Sequence, residues 1–356
     1  MTDLSVMHAA GTLASAGHGC PAHMTFTEAG VVGLIQGVTE LFPVSSLGHN
    51  VLIPALVGGC WAKNLNVATP ESPYLAFIVG LHVATAIALL IFFWRDWVRI
   101  IGALCTSLGR AIRPPRGARR WQLHSVDEKL AWMIVLATIP VGLAGLAFEH
   151  EFRVIFGKPV YAAWFLIVNG VILIAAERFR SQRSLAGDRE VAAEQETRAS
   201  ARYLPDPAGG AADESTLRAE ERAAADRRLA GVGYGAAFLI GSAQILALLA
   251  GISRDGVTMV AGMCRLSRTD AARFAFLLAT PVILAAGALK IPDLAGSLGD
   301  GVRGQVLFGS VLSFAGAYVS VRFLVRYFGK TRTLTPFGIY CLAAGLGSVI
   351  YLGLVK

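Results

Sequence analysis

The sequence predicts an all-α polytopic membrane protein, with six spanning helices and two re-entrant helical hairpins arranged as two inverted-topology repeats. Composition is the first indication: 54% of the 356 residues are hydrophobic and 16% are charged, whereas soluble domains carry roughly 25% charged residues. This composition excludes a disordered chain, a coiled coil and a secreted disulfide scaffold. The second indication is a set of long uncharged segments, and the third is a pair of apolar segments that contain charges.

Six segments lack Asp, Glu, Lys and Arg and are long enough for spanning helices. A helix needs about 20 apolar residues to cross a ~30 Å hydrocarbon core, and slightly fewer where its neighbours bury it. Tryptophan and tyrosine near several segment ends fit the aromatic belts of membrane interfaces. The predicted spans are 75–94, 130–148, 160–176, 274–289, 304–321 and 337–355.

Two other apolar segments differ from these spans. Segment 29–62 contains Glu40 and two prolines, and segment 231–263 contains Arg254 and Asp255. Charges are costly in hydrocarbon, and irregular backbone survives at that depth only where protein or a water-filled cavity covers it. We therefore expect both segments to be re-entrant hairpins.

The basic residues predict which connections face the cytoplasm. Of the 32 Lys and Arg residues, 25 lie in the connections 95–129, 177–230, 265–273 and 322–332. Cytoplasmic loops carry such an excess, so we expect these four connections inside and both chain termini outside. This topology accounts for the net charge of +8, and no nucleic-acid motif accompanies it. Nucleic acid is therefore not an expected partner.

In this orientation the first hairpin enters and leaves from outside and the second from the cytoplasm, and three spans follow each. Because three is odd, the two halves have opposite orientations. The pattern G-x-x-Q at 33–36 recurs at 241–244, and the same offset of 208 residues pairs Ser45 with Ser253. Inverted repeats whose broken helices meet near the midplane build membrane sites. We expect the functional site where the hairpins meet.

The predicted organisation has four parts. The segment between the repeats has ten basic and eleven acidic residues and little aromatic content, which predicts a solvated linker with some helix and no chemistry. The first residues lack the basic and apolar regions of a signal peptide. The parts are an N-terminal extension 1–24, a first repeat 25–176, a cytoplasmic linker 177–230 and a second repeat 231–356.

The five cysteines are odd in number, scattered, and form no C-x-x-C pair. This pattern predicts neither a disulfide framework nor a zinc site. We expect all five to be small apolar packing residues. They are Cys20, Cys60, Cys105, Cys264 and Cys341.

The turn of the first hairpin carries side chains suited to chemistry. Gln36 and Glu40 are four residues apart on one helix face, a proline then ends the helix, and Ser46 and His49 follow. A carboxylate, a hydroxyl and an imidazole suffice for proton transfer, nucleophilic attack or divalent-cation binding. By contrast, we expect His82 in the span 75–94 to make a hydrogen bond between packed helices.

The turn of the second hairpin predicts an anion cradle. Gly251 and Gly256 flank Ser253 and Arg254, so that backbone N–H groups can approach a ligand closely. The guanidinium is a forked donor suited to phosphate oxygens. An alternative is that Arg254 pairs with Asp255 or with the acidic residue of the first hairpin and only locks the hairpins together.

The two blocks, G-x-x-Q-G-x-T-E-x-x-P-x-S-S-x-G-H at 33–49 and G-x-S-R-x-G-x-T at 251–258, resemble the undecaprenyl pyrophosphate phosphatase family, the bacitracin-resistance type of membrane phosphatase. The resemblance extends from about residue 24 to the C-terminus, apart from the linker. It implies hydrolysis of undecaprenyl diphosphate to undecaprenyl phosphate and inorganic phosphate, which recycles the lipid carrier for cell-wall synthesis. It also implies a multi-pass protein of the bacterial cytoplasmic (inner) membrane whose site opens to the periplasmic face.

The resemblance further implies a role for each motif residue. Glu40 is the essential acidic residue, Ser46 a candidate nucleophile, His49 a candidate acid or base, and Arg254 the clamp on the diphosphate. Whether Ser46 or a metal-bound water attacks stays open. The residues expected to bind the substrate are Ser45, Ser253, Arg254, Gly256 and Thr258.

The chain departs from the family pattern at three places. The family often has Glu at Gln36, Pro-Gly at 250–251, and a second Ser at Asp255. Gln36 removes one carboxylate from the cation site, and Asp255 could restore the charge from the opposite hairpin. We expect Mg²⁺ or Ca²⁺ as the cofactor, held by Glu40 with Gln36 and Asp255.

Two other functions remain open at this point. A lipid-phosphate transporter or flippase would use the same hairpins without cleaving the lipid, and inverted repeats favour it. A phosphatase for another prenyl or lipid diphosphate would share the chemistry. The expected partners are a C55 prenyl diphosphate and the lipid bilayer, and homo-oligomerisation is left open.

Overall fold

The structure is a computed structural model that describes residues 20–21, 23–67, 73–113, 123–154, 157–180, 214–263, 265–296, 300–330 and 333–355. Within these residues the chain forms helices and no strands. The helices are α1 Phe26–Leu41, α2 Ser46–Val57, α3 Gly59–Asn64, α4 Pro73–Phe92, α5 Trp94–Ile112, α6 Val126–Val154, α7 Pro159–Arg180, α8 Glu214–Gly231, α9 Tyr234–Ala243, a 3₁₀-helix Gln244–Leu248, α10 Arg254–Gly262, α11 Arg268–Ala295, α12 Arg303–Lys330 and α13 Thr335–Val355.

Five helices of the described chain are each long and apolar enough to cross a membrane: α6 up to Phe148, α7, α11, α12 and α13. Two bent pairs of helices are candidate spans only when the two parts of each pair are taken together. One joins α4 to α5 at 89° and the other joins α8 to α9 and the 3₁₀-helix at 88°. The described residues therefore contain five candidate spans, or up to seven if each bent pair is one span. This confirms the prediction of an all-α multi-pass membrane protein.

A second helix follows the bend after α4. The predicted span 75–94 corresponds to α4, and after Phe93 the chain continues into the amphipathic helix α5. Its apolar side chains Val98, Ile101 and Ile112 are exposed on one face. An amphipathic helix with such an exposed apolar face is typical of a helix that lies along the membrane surface.

Each predicted hairpin contains a break between two helices. In the first hairpin α1 ends at Leu41 and α2 begins at Ser46; in the second, residues 249–253 separate the 3₁₀-helix from α10. The helix after each break is capped by a serine. The Ser45 hydroxyl accepts the N–H of the third following residue at 3.2 Å, and the Ser253 hydroxyl does the same at 3.1 Å. The offset of 208 residues thus pairs two equivalent caps.

Helix α1, which carries Glu40, packs closely against α12. A Cβ atom on Gly37 would collide with the backbone carbonyl of Ser313, and one on Gly33 would collide with the backbone of Gly309. Only glycine allows this backbone approach. The close packing fixes the position of α1 and of the turn that follows it.

A Gly37→Ala variant should therefore be less stable, because the added methyl group forces α1 and α12 apart. Overpacking of this kind costs about 1–3 kcal/mol. Thermal unfolding in detergent measures the loss. Gly142→Ala is the matched control, since nothing lies within 4 Å of a Cβ placed there; equal melting temperatures for the two variants would contradict the packing argument.

Helix α8 departs from the solvated linker expected at 177–230. Its Asp226 is buried and forms ion pairs of 2.8 Å with Arg99 of α5 and Arg273 of α11. Arg228 of the same helix pairs with Asp270 at 2.7 Å. These contacts dock α8 against the end of the bundle where α5 lies. Residues 181–213 of the predicted linker lie outside the described residues.

The prediction for the cysteines was wrong in part. Cys20 and Cys60 form a disulfide that joins the N-terminal segment to α3. Two cysteines 40 residues apart carry no spacing signal for such a bond, which only the fold brings together. Cys105 is exposed rather than packed, Cys341 is buried as expected, and Cys264 lies outside the described residues.

Candidate active site where the two turns meet

The two turns contact each other through Ser45. Its hydroxyl oxygen accepts the N–H of Gly48 in its own turn and the N–H of Gly251 in the other turn, both at 3.2 Å. Ser45 has a φ of 67°, the only positive value at a non-glycine position in the described chain. Positive φ at a serine is unfavourable and is retained where the surroundings require it. Here it places one hydroxyl between two turns that are about 200 residues apart.

Asn169 of α7 is a second link between the turns. Its side-chain nitrogen donates to the carbonyl of Pro43 at 3.0 Å, and its side-chain oxygen accepts the N–H of Ser253 at 3.0 Å. The side chain is fully buried. Nothing in the sequence predicted a role for this residue, because a lone asparagine in an apolar span has no motif around it.

Glu40 is the centre of the site. It is 4% exposed and its carboxylate accepts hydrogen bonds from the Ser46 hydroxyl and, at 2.8 Å, from the side-chain nitrogen of Gln36. Ser46 begins α2, so the turn after α1 brings its hydroxyl back onto the carboxylate six residues earlier. A hydroxyl that donates to a carboxylate has a proton acceptor in place when it attacks an electrophile.

Arg254 joins the second turn to this carboxylate. Its Nη2 contacts Oε1 of Glu40, and the arginine side chain is 17% exposed while the glutamate side chain is 1% exposed. This is one of the two ion pairs that the sequence analysis considered as a purely structural lock. The Glu40 carboxylate is thus shared by the Arg254 guanidinium and the Ser46 hydroxyl.

His82 of α4 makes the expected contact with a neighbouring helix, but its partner is Glu40 of α1, which brings the histidine into the site. Its Nε2 lies 3.3 Å from Oε2 of Glu40, and its Nδ1 lies 2.8 Å from the carbonyl oxygen of Ile78. A carbonyl oxygen only accepts, so Nδ1 carries a proton. Nε2 faces the carboxylate oxygen to which Ser46 donates, and a carboxylate also only accepts, so both ring nitrogens donate and the ring is an imidazolium.

His49 has hydrogen-bond partners other than Glu40. Its Nδ1 lies 2.6 Å from the carbonyl oxygen of Ser45, and its Nε2 lies 2.7 Å from the hydroxyl of Tyr340 on α13. The two rings stack with their centroids 5.7 Å apart. A neutral imidazole satisfies both contacts, with Nδ1–H donating and Nε2 accepting from the tyrosine.

The remaining predicted residues lie in the second turn and serve its local structure. The Ser253 hydroxyl accepts the N–H of Gly256 at 3.1 Å and lies 3.4 Å from the carbonyl of Phe42. The Thr258 hydroxyl donates to the carbonyl of Arg254 at 2.7 Å. These bonds hold α10 so that Arg254 points to the first turn.

A family model described as "Bacitracin resistance protein BacA" matches residues 29–347, which include both turns and the segment 177–230. The chain belongs to the BacA family. It is 57% identical to a protein of Mycolicibacterium paratuberculosis (strain ATCC BAA-968 / K-10) named undecaprenyl-diphosphatase, over 94% of this chain and 99% of that protein. It is 51% identical to undecaprenyl-diphosphatase 2 of Frankia alni (strain DSM 45986 / CECT 9034 / ACN14a), over 90% of this chain and 96% of that protein.

In this BacA-family chain the three candidate cation ligands are not equally free. Both oxygens of Glu40 have polar partners, and the amide oxygen of Gln36 accepts from Asn50 at 2.6 Å. Both carboxylate oxygens of Asp255 are buried without a hydrogen-bond partner among the described residues. A buried carboxylate needs a compensating charge or proton. A divalent cation therefore fits Asp255. It fits Glu40 only when a present partner of that carboxylate, such as Arg254, leaves.

The BacA-family motifs thus converge in part. The structure brings Glu40, Ser46, Arg254 and Gln36 into one hydrogen-bonded group, as the sequence predicted for the meeting point of the hairpins. Among the described residues, no three His, Cys, Asp or Glu side chains are grouped as a metal site. His82 also belongs to this group, whereas the sequence predicted only a helix-packing contact for it.

Proposed function

We propose that this protein hydrolyses the terminal phosphate of undecaprenyl diphosphate and releases undecaprenyl phosphate and inorganic phosphate. Two relatives named undecaprenyl-diphosphatase, 57% and 56% identical over 94% of this chain, support the substrate. The observation that carries the chemistry is the hydrogen bond from Ser46 to Glu40 beside Arg254. A nucleophile, its proton acceptor and a forked phosphate donor are the parts that phosphoryl transfer needs.

In the proposed reaction Arg254 leaves Glu40 and donates hydrogen bonds to two oxygens of the diphosphate. The Ser46 oxygen attacks the terminal phosphorus, and its proton passes to Glu40. The bond from that phosphorus to the bridging oxygen breaks, and undecaprenyl phosphate leaves with the electron pair. Water then attacks the phosphorus of the phosphoserine, and the bond from that phosphorus to the Ser46 oxygen breaks. The water oxygen stays on the released phosphate, and the proton held by Glu40 returns to Ser46.

His49 is proposed to act in the second half of this reaction. It is 7% exposed and accepts a hydrogen bond from Tyr340, which is 46% exposed on α13. A proton taken from the attacking water by His49 would then have a hydroxyl neighbour at the surface of the helix bundle.

Asp255 is proposed to hold a divalent cation, Mg²⁺ or Ca²⁺, through its two unpartnered oxygens. When bound, the cation would neutralise charge on the diphosphate. Glu40 and Gln36 would join it only after Arg254 has turned to the substrate.

An Asp255→Asn variant should need about tenfold or more cation for half-maximal binding, because ligand charge tunes affinity for hard cations. Electron paramagnetic resonance of Mn²⁺ added to the purified protein measures this without turnover. Asp300→Asn is the control, because that carboxylate is exposed and pairs with Arg303. Equal Mn²⁺ binding by the two variants would remove Asp255 from the cation site.

We further propose the complete topology: six spans and two re-entrant hairpins in inverted repeats, with the first hairpin and the active site open to the periplasm. The disulfide between Cys20 and Cys60 supports this orientation independently of the basic loops, because disulfides persist outside the cytoplasm. Cys60 lies at the end of the first hairpin, which the basic-residue distribution also places outside.

A membrane-impermeant maleimide applied to intact cells tests this topology with the native thiols. Cys105 should react only after permeabilisation, whereas Cys20 and Cys60 should react after an impermeant phosphine reduces their disulfide. A cysteine introduced at Gly353 near the C-terminus should react without permeabilisation. Labelling of Cys105 in intact cells would contradict the orientation, and protection of position 353 would contradict the inverted repeats.

Purified protein with Mg²⁺ or Ca²⁺ should release inorganic phosphate from a C55 prenyl diphosphate. A lipid-phosphate transporter would bind that lipid and release none. A phosphatase for other lipids would prefer a C15 diphosphate or a diacylglycerol diphosphate in side-by-side assays. The first result would overturn the proposed hydrolysis, and the second would overturn the proposed substrate.

A further inference from the structure

We propose that His82 is a positioning residue that holds the Glu40 carboxylate toward Ser46 while Arg254 is bound to the diphosphate. This inference rests on the proposed function. It starts from the contact of 3.3 Å between Nε2 of His82 and Oε2 of Glu40. Helix α4 contributes no other residue to the motifs, so the histidine enters the site from outside both hairpins.

The two oxygens of Glu40 have different partners. Oε1 faces Arg254, whereas Oε2 faces His82 and accepts from Ser46 and Gln36. When Arg254 moves to the diphosphate, Oε1 loses the guanidinium and is open to the proposed divalent cation, while Oε2 keeps its own contacts. Gln36 is neutral, so His82 is the basic side chain that stays on Glu40 at that stage.

The orientation of the histidine is itself fixed. Nδ1–H donates to the Ile78 carbonyl at 2.8 Å, one turn earlier in α4, and this bond directs Nε2 at the carboxylate. The helix around it is also held, because the Thr85 hydroxyl donates to the His82 carbonyl at 2.7 Å and is fully buried. A side chain locked by a second hydrogen bond positions its partner more accurately than a free one.

The role predicts a separation between kcat and KM. His82→Leu removes the donor, so the Ser46 proton acceptor is misplaced and kcat should fall at least tenfold. KM should stay within twofold, because Arg254 still binds the diphosphate. His82→Gln keeps an N–H donor of similar reach and should recover at least a third of the wild-type kcat. Thr280→Val, which removes a similar buried hydroxyl bonded to the Phe276 carbonyl within α11, should keep kcat within twofold.

Thermal unfolding gives a test that does not depend on turnover. If His82 and Glu40 interact, the melting temperature of the double variant His82→Leu, Glu40→Gln should lie near that of Glu40→Gln alone. Two independent residues would instead give the sum of the two single shifts.

Three results would overturn the inference. The first is a kcat of His82→Leu within twofold of wild type, and the second is an equal loss of kcat in His82→Gln and His82→Leu. The third is a melting-temperature shift of the double variant that equals the sum of the two single shifts. A wild-type protein that releases no phosphate from any prenyl diphosphate would refute the proposed function instead. The melting temperatures of the single and double variants would still show whether His82 and Glu40 interact.

Discussion

Replacement of Ser46 by alanine should reduce phosphate release by at least about 1,000-fold, because removal of the nucleophile abolishes the covalent route and leaves only substrate binding and charge neutralisation. The Ser46 hydroxyl is a natural candidate, since it is buried and already donates to Glu40. Steady-state assays of inorganic phosphate, with the substrate in mixed detergent micelles, measure the loss.

The control for Ser46→Ala is Ser348→Ala. Ser348 is also buried, and its hydroxyl donates to a backbone carbonyl of its own helix α13. Its removal should leave kcat unchanged within twofold. If Ser46→Ala retains a tenth or more of the activity, a water molecule and not the serine attacks the phosphorus, and Glu40 is then the acceptor for the proton of that water.

The second large effect is expected for Arg254→Lys, which keeps the positive charge but loses the planar fork. A single ammonium cannot make two parallel hydrogen bonds to the diphosphate. Because arginines that stabilise phosphoryl transfer contribute about 1,000-fold or more to kcat, we expect the variant to lose at least about 100-fold. The fold should persist, since lysine can still pair with Glu40.

Arg268→Lys is the matched control for Arg254→Lys. Arg268 also forms a partly buried ion pair with a glutamate, Glu177 of α7. If the ion pair of Arg254 with Glu40 only locks the hairpins, the two variants should show similar losses of stability and similar activities. Similar melting temperatures with activity lost only in Arg254→Lys would instead assign Arg254 to the substrate.

The sequence alone was sufficient for the class of fold and for most of the side chains that meet at the two turns. Spacing within one helix placed Gln36 beside Glu40, and the hydrogen bond between them follows from that spacing. The proline after α1 ended the helix near the expected position, and Ser46 then followed in the turn. These features depend on neighbours within about ten residues, which sequence patterns describe well.

Contacts between distant helices could not be predicted in the same way. His82 and Asn169 have no motif around them, and nothing in their local sequence separates a site residue from a packing residue. The Cys20–Cys60 disulfide and the burial of Asp226 against α5 and α11 are similar cases. Each depends on which helices are neighbours in space.

By itself the sequence determined the all-α membrane class, the two interrupted segments, and the presence of a carboxylate, a hydroxyl and a guanidinium at their turns. Only the tertiary structure decided how these groups are paired: Ser46 and His82 on Glu40, His49 on Tyr340, and Asp255 left without a partner among the described residues. The physical reason is that helix periodicity and turn chemistry are local properties. The approach of α1, α4 and α10 depends instead on side-chain volumes and close glycine contacts along entire helices.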